Sequence, residues 1–513
     1  MIRRSCRPGN KRRVLTEVMD SKTLFTKISP VKLFFIASVP GAVSMLASAL
    51  YQVIDGILVG QILGELAFAA LNLAMPFVII NFSLADLIGV GSAVPISVSL
   101  GKKETKRADN IFTCACIMIV GAGVLIGTVL YVLAEPLLKL MGAQGELLEL
   151  AVQYLRVYAM CAPITTIIFA VDNYLRICGK IKSSMFLNIF MSVLTAVLEF
   201  TFLYIFKWGI WGAGLATCAG MFVCSAAAFW PFLRGKMELH FCRPEFFVSM
   251  VKQIISCGMP NFLNNIAGRV TSILLNILLL RMGGAQAVSV YGILMYAEGF
   301  VQPLLYGMCD SLQPAVSYNL GAGNPGRIRS IEKCCYTASA VISFLSAGIL
   351  FFFPELITRM FVNNPDAAFM EMSRQSVMLF ALTYVTRWFS FATQSYVVAV
   401  EKAKEATLIS VSTELIFPVV LIVVLWPLGL TGIWLNFAGT SVLAGIMSFV
   451  ILKKSSVRSA SRWWFGRFIA APSFSKVQRS AAFVFFKQTN KMADLVKATG
   501  KGNFFYGNIF IFQ

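Results

Sequence analysis

The chain has 513 residues, of which 58% are apolar and 13% are charged, and its mean hydropathy is +0.75. A soluble globular protein is about half apolar and about a quarter charged, so this composition excludes a soluble domain. The formal net charge of +20 does not indicate nucleic-acid binding. The basic residues occur in short clusters between apolar segments, the arrangement that sets the topology of membrane proteins.

Twelve apolar segments follow one another along the chain, and each is long enough to cross a hydrocarbon core of about 30 Å. The sequence therefore predicts an all-α integral membrane protein with twelve transmembrane helices, which we number as spans 1 to 12. The predicted spans cover residues 33–55, 66–98, 111–133, 151–174, 184–206, 211–233, 253–280, 287–318, 334–354, 375–399, 407–427 and 431–452.

These spans and the polar segments around them define five predicted regions. They are an N-terminal segment (1–30), an N-lobe with spans 1 to 6 (31–233), a linker (234–252), a C-lobe with spans 7 to 12 (253–453) and a basic, aromatic tail (454–513). The tail contains no apolar run long enough to form a span. It is expected to be a helix on the membrane surface or a poorly ordered extension. The start of translation, Met1 or Met19, stays open.

The basic residues predict the orientation in the membrane. The connections on the side of the N-terminus contain 25 Lys and Arg residues before the tail, whereas those on the opposite side contain 5. Basic residues favour the cytoplasmic side, so we expect both termini, the linker and the tail to be cytoplasmic. The first apolar run is long enough to span, which argues against a cleavable signal peptide.

The two halves of the chain repeat at an offset of about 220 residues. The matching positions are Pro40 with Pro260, Gly64 with Gly284, Gly101 with Gly321, and Gly212 with Gly432. Because each half contains an even number of spans, the two repeats have the same orientation in the membrane. Parallel repeats of this kind are typical of secondary transporters.

Ionisable residues inside the spans are costly, so each is a candidate for function. The candidates are Asp55, Asp86, Glu199, Arg269, Glu298, Asp310, Arg387 and Glu414. Asp55 is expected to couple protonation to a bend of span 1 at Pro40, since proline removes a backbone hydrogen bond; the alternative is an acid at a helix end that faces water. A carboxyl in a low dielectric, such as Glu199, can bind and release a proton. Alternatively, it holds Na⁺ together with the hydroxyls of Thr195 and Thr217.

The other candidates have structural readings of comparable weight. Asp310 is expected to pair with a basic residue near the cytoplasmic mouth, Glu414 is expected to pair with Arg387, and Asp86 fits either function or helix packing. The predicted substrate cavity contains a carboxylate that attracts cations and three amides. Its residues are Gln52, Asn264, Asn265 and Glu298.

No motif for catalysis or for a bound cofactor stands out. The sequence contains no Walker-type phosphate loop and no C-x-x-C pair, and its single histidine, His240, lies in a polar loop. We therefore expect a protein that is not an enzyme, binds no cofactor or metal centre, and takes its energy from an ion gradient.

Three stretches resemble the multidrug and toxic compound extrusion (MATE) family. They are LYQVIDGILVGQILGELAFAALNLAMPF in spans 1 and 2, GVGSAVPISVSLGKKETKRADN after span 2, and SLQPAVSYNLGAGNPGRI after span 8. The resemblance covers residues 30–453 and implies two lobes around a central V-shaped cleft. It also implies that Asp55 is the acid of the bacterial branch and that Pro40 is the bend. Glu199 falls where the family usually has Asp, Thr195 falls where Asn is usual, and Thr217 matches a Thr in span 6.

The resulting prediction is a monomeric antiporter of the plasma membrane that exports cationic, lipophilic drugs in exchange for H⁺ or Na⁺. Its partners are the coupling ion, small organic cations and membrane lipids, and no nucleic acid. A lipid-linked oligosaccharide flippase of the same superfamily is the alternative, kept open by Arg269 and Arg387. A membrane scaffold without transport activity is a second alternative.

Overall fold

Long apolar segments that are interrupted by glycine and by short polar turns form a bundle of helices. The computed structural model describes residues 21–362 and 365–454. The predictions for residues 1–20 and for the tail beyond Lys454 lie outside these residues. The described residues are mainly helical and contain no β-strand, and residues 236–247 of the linker are not helical.

Eleven helices in the described part are long and apolar enough to cross a membrane. They are span 1 (Pro30–Leu63), span 2 (Leu66–Gly101), span 3 (Thr105–Leu140), span 4 (Gly145–Ile177), span 5 (Ile181–Ile205), span 6 (Ile210–Leu233), span 7 (Val248–Gly284), span 8 (Gln286–Gly321), span 9 (Pro325–Phe352), span 11 (Ala403–Leu428) and span 12 (Leu430–Lys454). Shorter helices at Ser21–Thr26 and Pro354–Phe361 lie outside the spans.

The predicted span 10 is interrupted. It consists of two helices of 15 and 17 residues, Ala367–Ala381 and Thr383–Ala399, which meet at Leu382. A full crossing needs about 20 residues, so the two helices must be taken end to end to supply the twelfth span. The observed segment begins at Ala367, whereas the apolar pattern predicted 375.

Two spans contain a π-helical segment at or next to an intramembrane acid. Thr201–Ile205 follows Glu199 in span 5, and Ser412–Ile416 includes Glu414 in span 11. Such segments are rare in proteins and are frequent at functional sites.

The backbone confirms the internal repeat. Positive φ angles recur 220 residues apart, at Gly64 and Gly284 (89° and 64°) and at Gly209 and Gly429 (70° and 59°). Each of these glycines lies in the tight turn that connects consecutive spans. The two halves therefore have the same course, and the chain is an all-α membrane protein of two six-helix repeats.

The two lobes touch through spans 1, 2, 7 and 8 at one end of the bundle, which we call the packed end. A Cβ atom on Gly101 would lie 2.1 Å from the carbonyl oxygen of Tyr318, and one on Gly321 would lie 2.1 Å from that of Val98. The equivalent glycines of the two repeats therefore allow the same close approach in both directions. Ser38 adds a hydrogen bond to the carbonyl oxygen of Met308 at 3.2 Å.

The short helix Ser21–Thr26 also lies at the packed end. Phe25 is buried, and its carbonyl oxygen accepts hydrogen bonds from the guanidinium of Arg327 and from the Asn319 amide, the latter at 3.0 Å. The segment before span 1 is thus attached to the C-lobe.

Candidate functional site

Two acids from different helices come together inside the N-lobe. Asp55 lies on span 1 and Glu199 on span 5, and the two residues are 4% and 0% exposed. Their carboxyl groups interact directly with each other. Among the described residues, neither acid forms an ion pair with Lys or Arg.

A set of hydroxyl groups surrounds this pair. The Tyr51 hydroxyl lies 3.5 Å from Oδ1 of Asp55 and 2.8 Å from Oγ1 of Thr217. The hydroxyl of Tyr158 on span 4 also contacts Thr217, and it lies 3.4 Å from that of Tyr154. Spans 1, 4, 5 and 6 therefore all contribute to one polar cluster within an apolar lobe.

Of the two predicted threonines, Thr217 belongs to this cluster. The Thr195 hydroxyl instead donates to the carbonyl oxygen of Met191 on its own helix, at 2.7 Å. It packs closely on span 6, where a Cβ atom at Gly220 would lie 2.3 Å from Thr195 Oγ1. Its role as an ion ligand remains a prediction.

No positively charged side chain among the described residues compensates the charge of the carboxyl pair. Glu199 accepts no hydrogen bond of regular geometry from the described residues, although both of its oxygens are buried. Two adjacent carboxylates in a low dielectric cannot both be ionised without a compensating cation. This arrangement can hold a shared proton, or it can supply oxygen ligands to a hard cation such as Na⁺.

Tyr51, Tyr154 and Tyr158 were missed by the sequence analysis. Tyr51 precedes Asp55 by four residues, so the helical period alone places the two side chains on one face. No comparable signal exists for Tyr154 and Tyr158, because only the packing of span 4 brings them to this cluster.

Pro40 lies on span 1 at the packed end, and it is buried. Its neighbour Gly41 is in close contact with span 8, where a Cβ atom on Gly41 would lie 2.3 Å from the carbonyl oxygen of Gly307. The predicted hinge therefore lies where span 1 meets the other lobe, and it precedes Asp55 by about four helical turns. Its bending remains a prediction.

A cavity of about 860 Å³ lies between the lobes, lined mainly by spans 1, 7 and 8. All four residues of the predicted substrate cavity line it: Gln52, Asn264, Asn265 and Glu298. Asn264 donates a hydrogen bond to the hydroxyl of Tyr306 at 2.8 Å. The charged residues in the lining are three acids, Asp86, Glu298 and Asp310, and one base, Arg269.

Two predicted pairings of charged residues are wrong. Arg387 forms its ion pair with Glu298, with Nη2 and Oε1 2.8 Å apart, and acts on Glu414 only at longer range. Tyr384 also donates a hydrogen bond to Glu298. The charge of Glu298 is therefore compensated within the C-lobe, which the sequence could not show because the pairing depends on which helix faces are opposed.

Asp310 likewise has no direct basic partner among the described residues. It accepts hydrogen bonds from Gln313 at 2.7 Å and from Ser395 at 3.1 Å. The guanidinium of Arg176, which acts on Asp310 at longer range, is paired with Asp172 at 2.6 Å and donates to Ser311 of the other lobe at 3.2 Å. Neutral donors, rather than a salt bridge, therefore satisfy this acid.

A second, smaller cavity of about 250 Å³ lies within the C-lobe. It shares Asn264, Asn265 and Glu298 with the cavity between the lobes. Arg387, Glu414 and Asn436 also line the smaller cavity. A Cβ atom on Gly268 would lie 3.3 Å from a carboxylate oxygen of Glu414, so span 7 passes close to this acid. The C-lobe thus has its own charged interior, formed by residues that do not match those of the N-lobe.

Solved transporter structures share this fold. An outward-facing multidrug resistance MATE family transporter of the MOP superfamily is 22% identical, with a TM-score of 0.79, over 85% of this chain and 98% of that one. A MOP superfamily transporter from Pyrococcus furiosus has a TM-score of 0.80 at 22% identity, over 86% of this chain and all of that one. That protein is described as having a binding pocket of reverse polarity that suggests a different function.

Sequence comparison gives the same grouping. The multidrug export protein MepA of Staphylococcus saprophyticus is 25% identical over 434 residues, which are 83% of this chain and 94% of that protein. The MatE family model matches residues 40–201 and 260–424, one segment in each repeat and together well over half of the chain. The resemblance seen in the motifs is thereby confirmed: the chain belongs to the MatE family of membrane transporters.

Proposed function

We propose that this protein is an antiporter that exports cationic, lipophilic compounds in exchange for H⁺ or Na⁺. The observation that carries this proposal is the buried, uncompensated pair of Asp55 and Glu199. A pair that must take up a cation to be stable in a low dielectric is suited to ion coupling. The export of drugs by similar proteins such as MepA supports the same function.

The mechanism follows from where the acids and the lobe contacts lie. A cation taken up by Asp55 and Glu199 removes the repulsion between them and allows spans 1 and 5 to approach. Span 1 then bends at Pro40, which reshapes the N-lobe side of the cavity and releases the substrate. The lobes rock about their contact at the packed end to give alternating access.

The charge bias of the loops supports a cytoplasmic position for the packed end, because spans 1 and 7 begin there. Both termini are then cytoplasmic, the protein lies in the plasma membrane, and the cavity opens outward. The carboxyl pair and the cavity are both formed by residues of one chain, so the proposed mechanism needs no second copy and the chain is proposed to act as a monomer.

The cavity lining favours this proposal over the flippase. A lipid-phosphate substrate favours an excess of positive charge, whereas the lining outside the Glu298–Arg387 pair contains two acids, Asp86 and Asp310, and one base, Arg269. Arg269 alone does not reverse that balance, and the charge of Arg387 is compensated by Glu298.

The test is transport in sealed liposomes with a fluorescent cationic dye, first under a pH gradient and then under a Na⁺ gradient. Dye movement driven by one ion identifies the coupling ion. The variant Asp55→Asn with Glu199→Gln should lose gradient-driven export by at least about tenfold, while Glu146→Gln, an exposed acid, should retain it.

Full export by the double variant would disprove the coupling role. Failure of the wild-type protein to move dye with either ion, together with movement of a lipid phosphate, would favour the flippase. Binding of dye without translocation would favour the scaffold.

A further inference from the structure

A groove on the outer surface of the C-lobe combines apolar walls with two lysines. It has a volume of about 750 Å³ and lies between the N-terminal ends of spans 7 and 11. Phe246, Phe247, Ile255 and Met259 contribute to its apolar walls, and Lys252 and Lys404 contribute the charge. None of these residues belongs to the carboxyl pair or to the cavity between the lobes.

The two lysines are available for a ligand. Both side chains are exposed, and neither forms an ion pair with a described residue. The nearby acid Glu401 instead accepts a hydrogen bond from Gln253 at 2.8 Å. The groove therefore has an uncompensated positive charge.

Position along the helices separates the charge from the apolar walls. Lys404 is the second residue of span 11, and Lys252 is in the second turn of span 7. Met259 is seven residues further along span 7, which is about 10 Å deeper along the helix axis. The groove thus runs from a charged mouth, at the level of the lipid headgroups, toward the hydrocarbon core.

The mouth also has aromatic side chains that face outward. Phe246 and Phe247 are 51% and 53% exposed, and they immediately precede the helix that contains Lys252. Exposed phenylalanines beside lysines at a helix end are typical of contact with the membrane interface.

We propose that this groove binds one anionic phospholipid, with the phosphate between Lys252 and Lys404 and an acyl chain along Ile255 and Met259. A diester phosphate complements the two ammonium groups, and the apolar floor fits a hydrocarbon chain. The basic tail of this chain is a poorer occupant, because residues 454–513 include a single acid, Asp494, and the lysines repel the rest.

The internal repeat supplies a matched control. Lys32 and Lys182 occupy the equivalent positions of the N-lobe, 220 and 222 residues earlier, and both are exposed. The two phenylalanines are replaced there by Thr26 and Lys27. The N-lobe positions therefore carry at least as much positive charge, but they lack the two phenylalanines of the C-lobe groove.

The test measures lipid retention by the purified full chain with native mass spectrometry, using phosphatidylglycerol and phosphatidylcholine with the same acyl chains. The wild-type protein should retain phosphatidylglycerol preferentially. The variant Lys252→Ala with Lys404→Ala should lose that preference by about thirtyfold, since each lysine near the surface contributes a factor of about five. The variant Lys32→Ala with Lys182→Ala should change it by less than about twofold.

Charge-conserving variants and a stability measurement separate loss of lipid binding from loss of the fold. Lys252→Arg with Lys404→Arg should keep the preference, and thermal unfolding of every variant reports whether the fold is intact. The proposal is overturned if the wild type shows no preference, or if both alanine pairs lose it equally. Displacement of the lipid by glycerol phosphate at a similar concentration would also overturn it, since that outcome indicates a simple anion site without a role for the acyl chain.

Discussion

At the scale of single residues, the N-lobe site depends on hydroxyl groups as much as on acids. Tyr51 bridges Asp55 and Thr217, so it connects the acid of span 1 to span 6 without contributing a charge. A hydroxyl in this position can donate to an ionised Asp55, and it can also help to orient the carboxyl toward Glu199.

Replacement of this bridge should weaken ion coupling without unfolding the protein. Tyr51→Phe removes one hydrogen-bonding group, worth about 1 kcal/mol, so the affinity for the coupling ion should fall about fivefold. The measurement is the ion-concentration dependence of dye export in liposomes. Tyr204→Phe, at an exposed tyrosine of span 5, is the control. An unchanged ion dependence for Tyr51→Phe would exclude the bridging role.

The ion pair of Arg387 and Glu298 allows a second prediction at this scale. Arg387→Gln leaves Glu298 buried without its cation, which should cost about 3 kcal/mol of stability. Glu298→Gln in the same protein removes the unpaired charge and should recover most of the loss. Thermal unfolding of the wild type, both single variants and the double variant measures the coupling. Additive effects would show that the pair does not stabilise the C-lobe.

At the scale of the helix, the packed end depends on the absence of side chains. Spans 2 and 8 cross at Gly101 and Gly321, where each glycine faces a backbone carbonyl of the other helix. Backbone atoms cannot move aside as a flexible side chain can, so a methyl group must push the helices apart. Similar contacts at Gly41 and Gly258 repeat this arrangement between spans 1 and 8 and between spans 2 and 7.

We therefore expect Gly321→Ala to lower both thermal stability and the rate of dye export, with a cost of about 1–3 kcal/mol for overpacking. Gly348→Ala on span 9 is the matched control, because a Cβ atom there would meet nothing within 4 Å. If the two variants unfold at the same temperature, the lobes do not require close packing at this crossing.

At the scale of the whole molecule, the orientation in the membrane decides the direction of transport. The charge bias predicts that the linker is cytoplasmic, and Cys242, which is exposed, is in that linker. Lys207 lies in the short connection between spans 5 and 6, on the opposite side.

A thiol reagent that does not cross membranes should leave Cys242 unlabelled in intact cells and label it after permeabilisation. The variant Lys207→Cys should gain a labelled site in intact cells. The opposite pattern would invert the proposed topology and, with it, the assignment of the cavity to the outer face.

The sequence by itself determined the class of fold, because the bilayer imposes strong and local requirements on a helix. A span must be apolar over about 20 residues, and glycine is favoured in the turns where φ is positive, as at Gly64 and Gly284. These requirements can be seen one segment at a time, and their recurrence after 220 residues shows the repeat, while three sequence stretches carry the family resemblance. The same logic located the intramembrane acids, since a carboxyl group in an apolar segment is conspicuous.

Only the tertiary structure decided which of these groups meet. Asp55 and Glu199 are 144 positions apart in the sequence, and only the packing of spans 1 and 5 brings their carboxyls together. The partner of Arg387 is Glu298 rather than Glu414 for the same reason. Helical period specifies the face of a side chain on its own helix, whereas the rotation and crossing of neighbouring helices depend on the fit of all their surfaces. That fit is a property of the folded bundle, so no single segment of the sequence shows it.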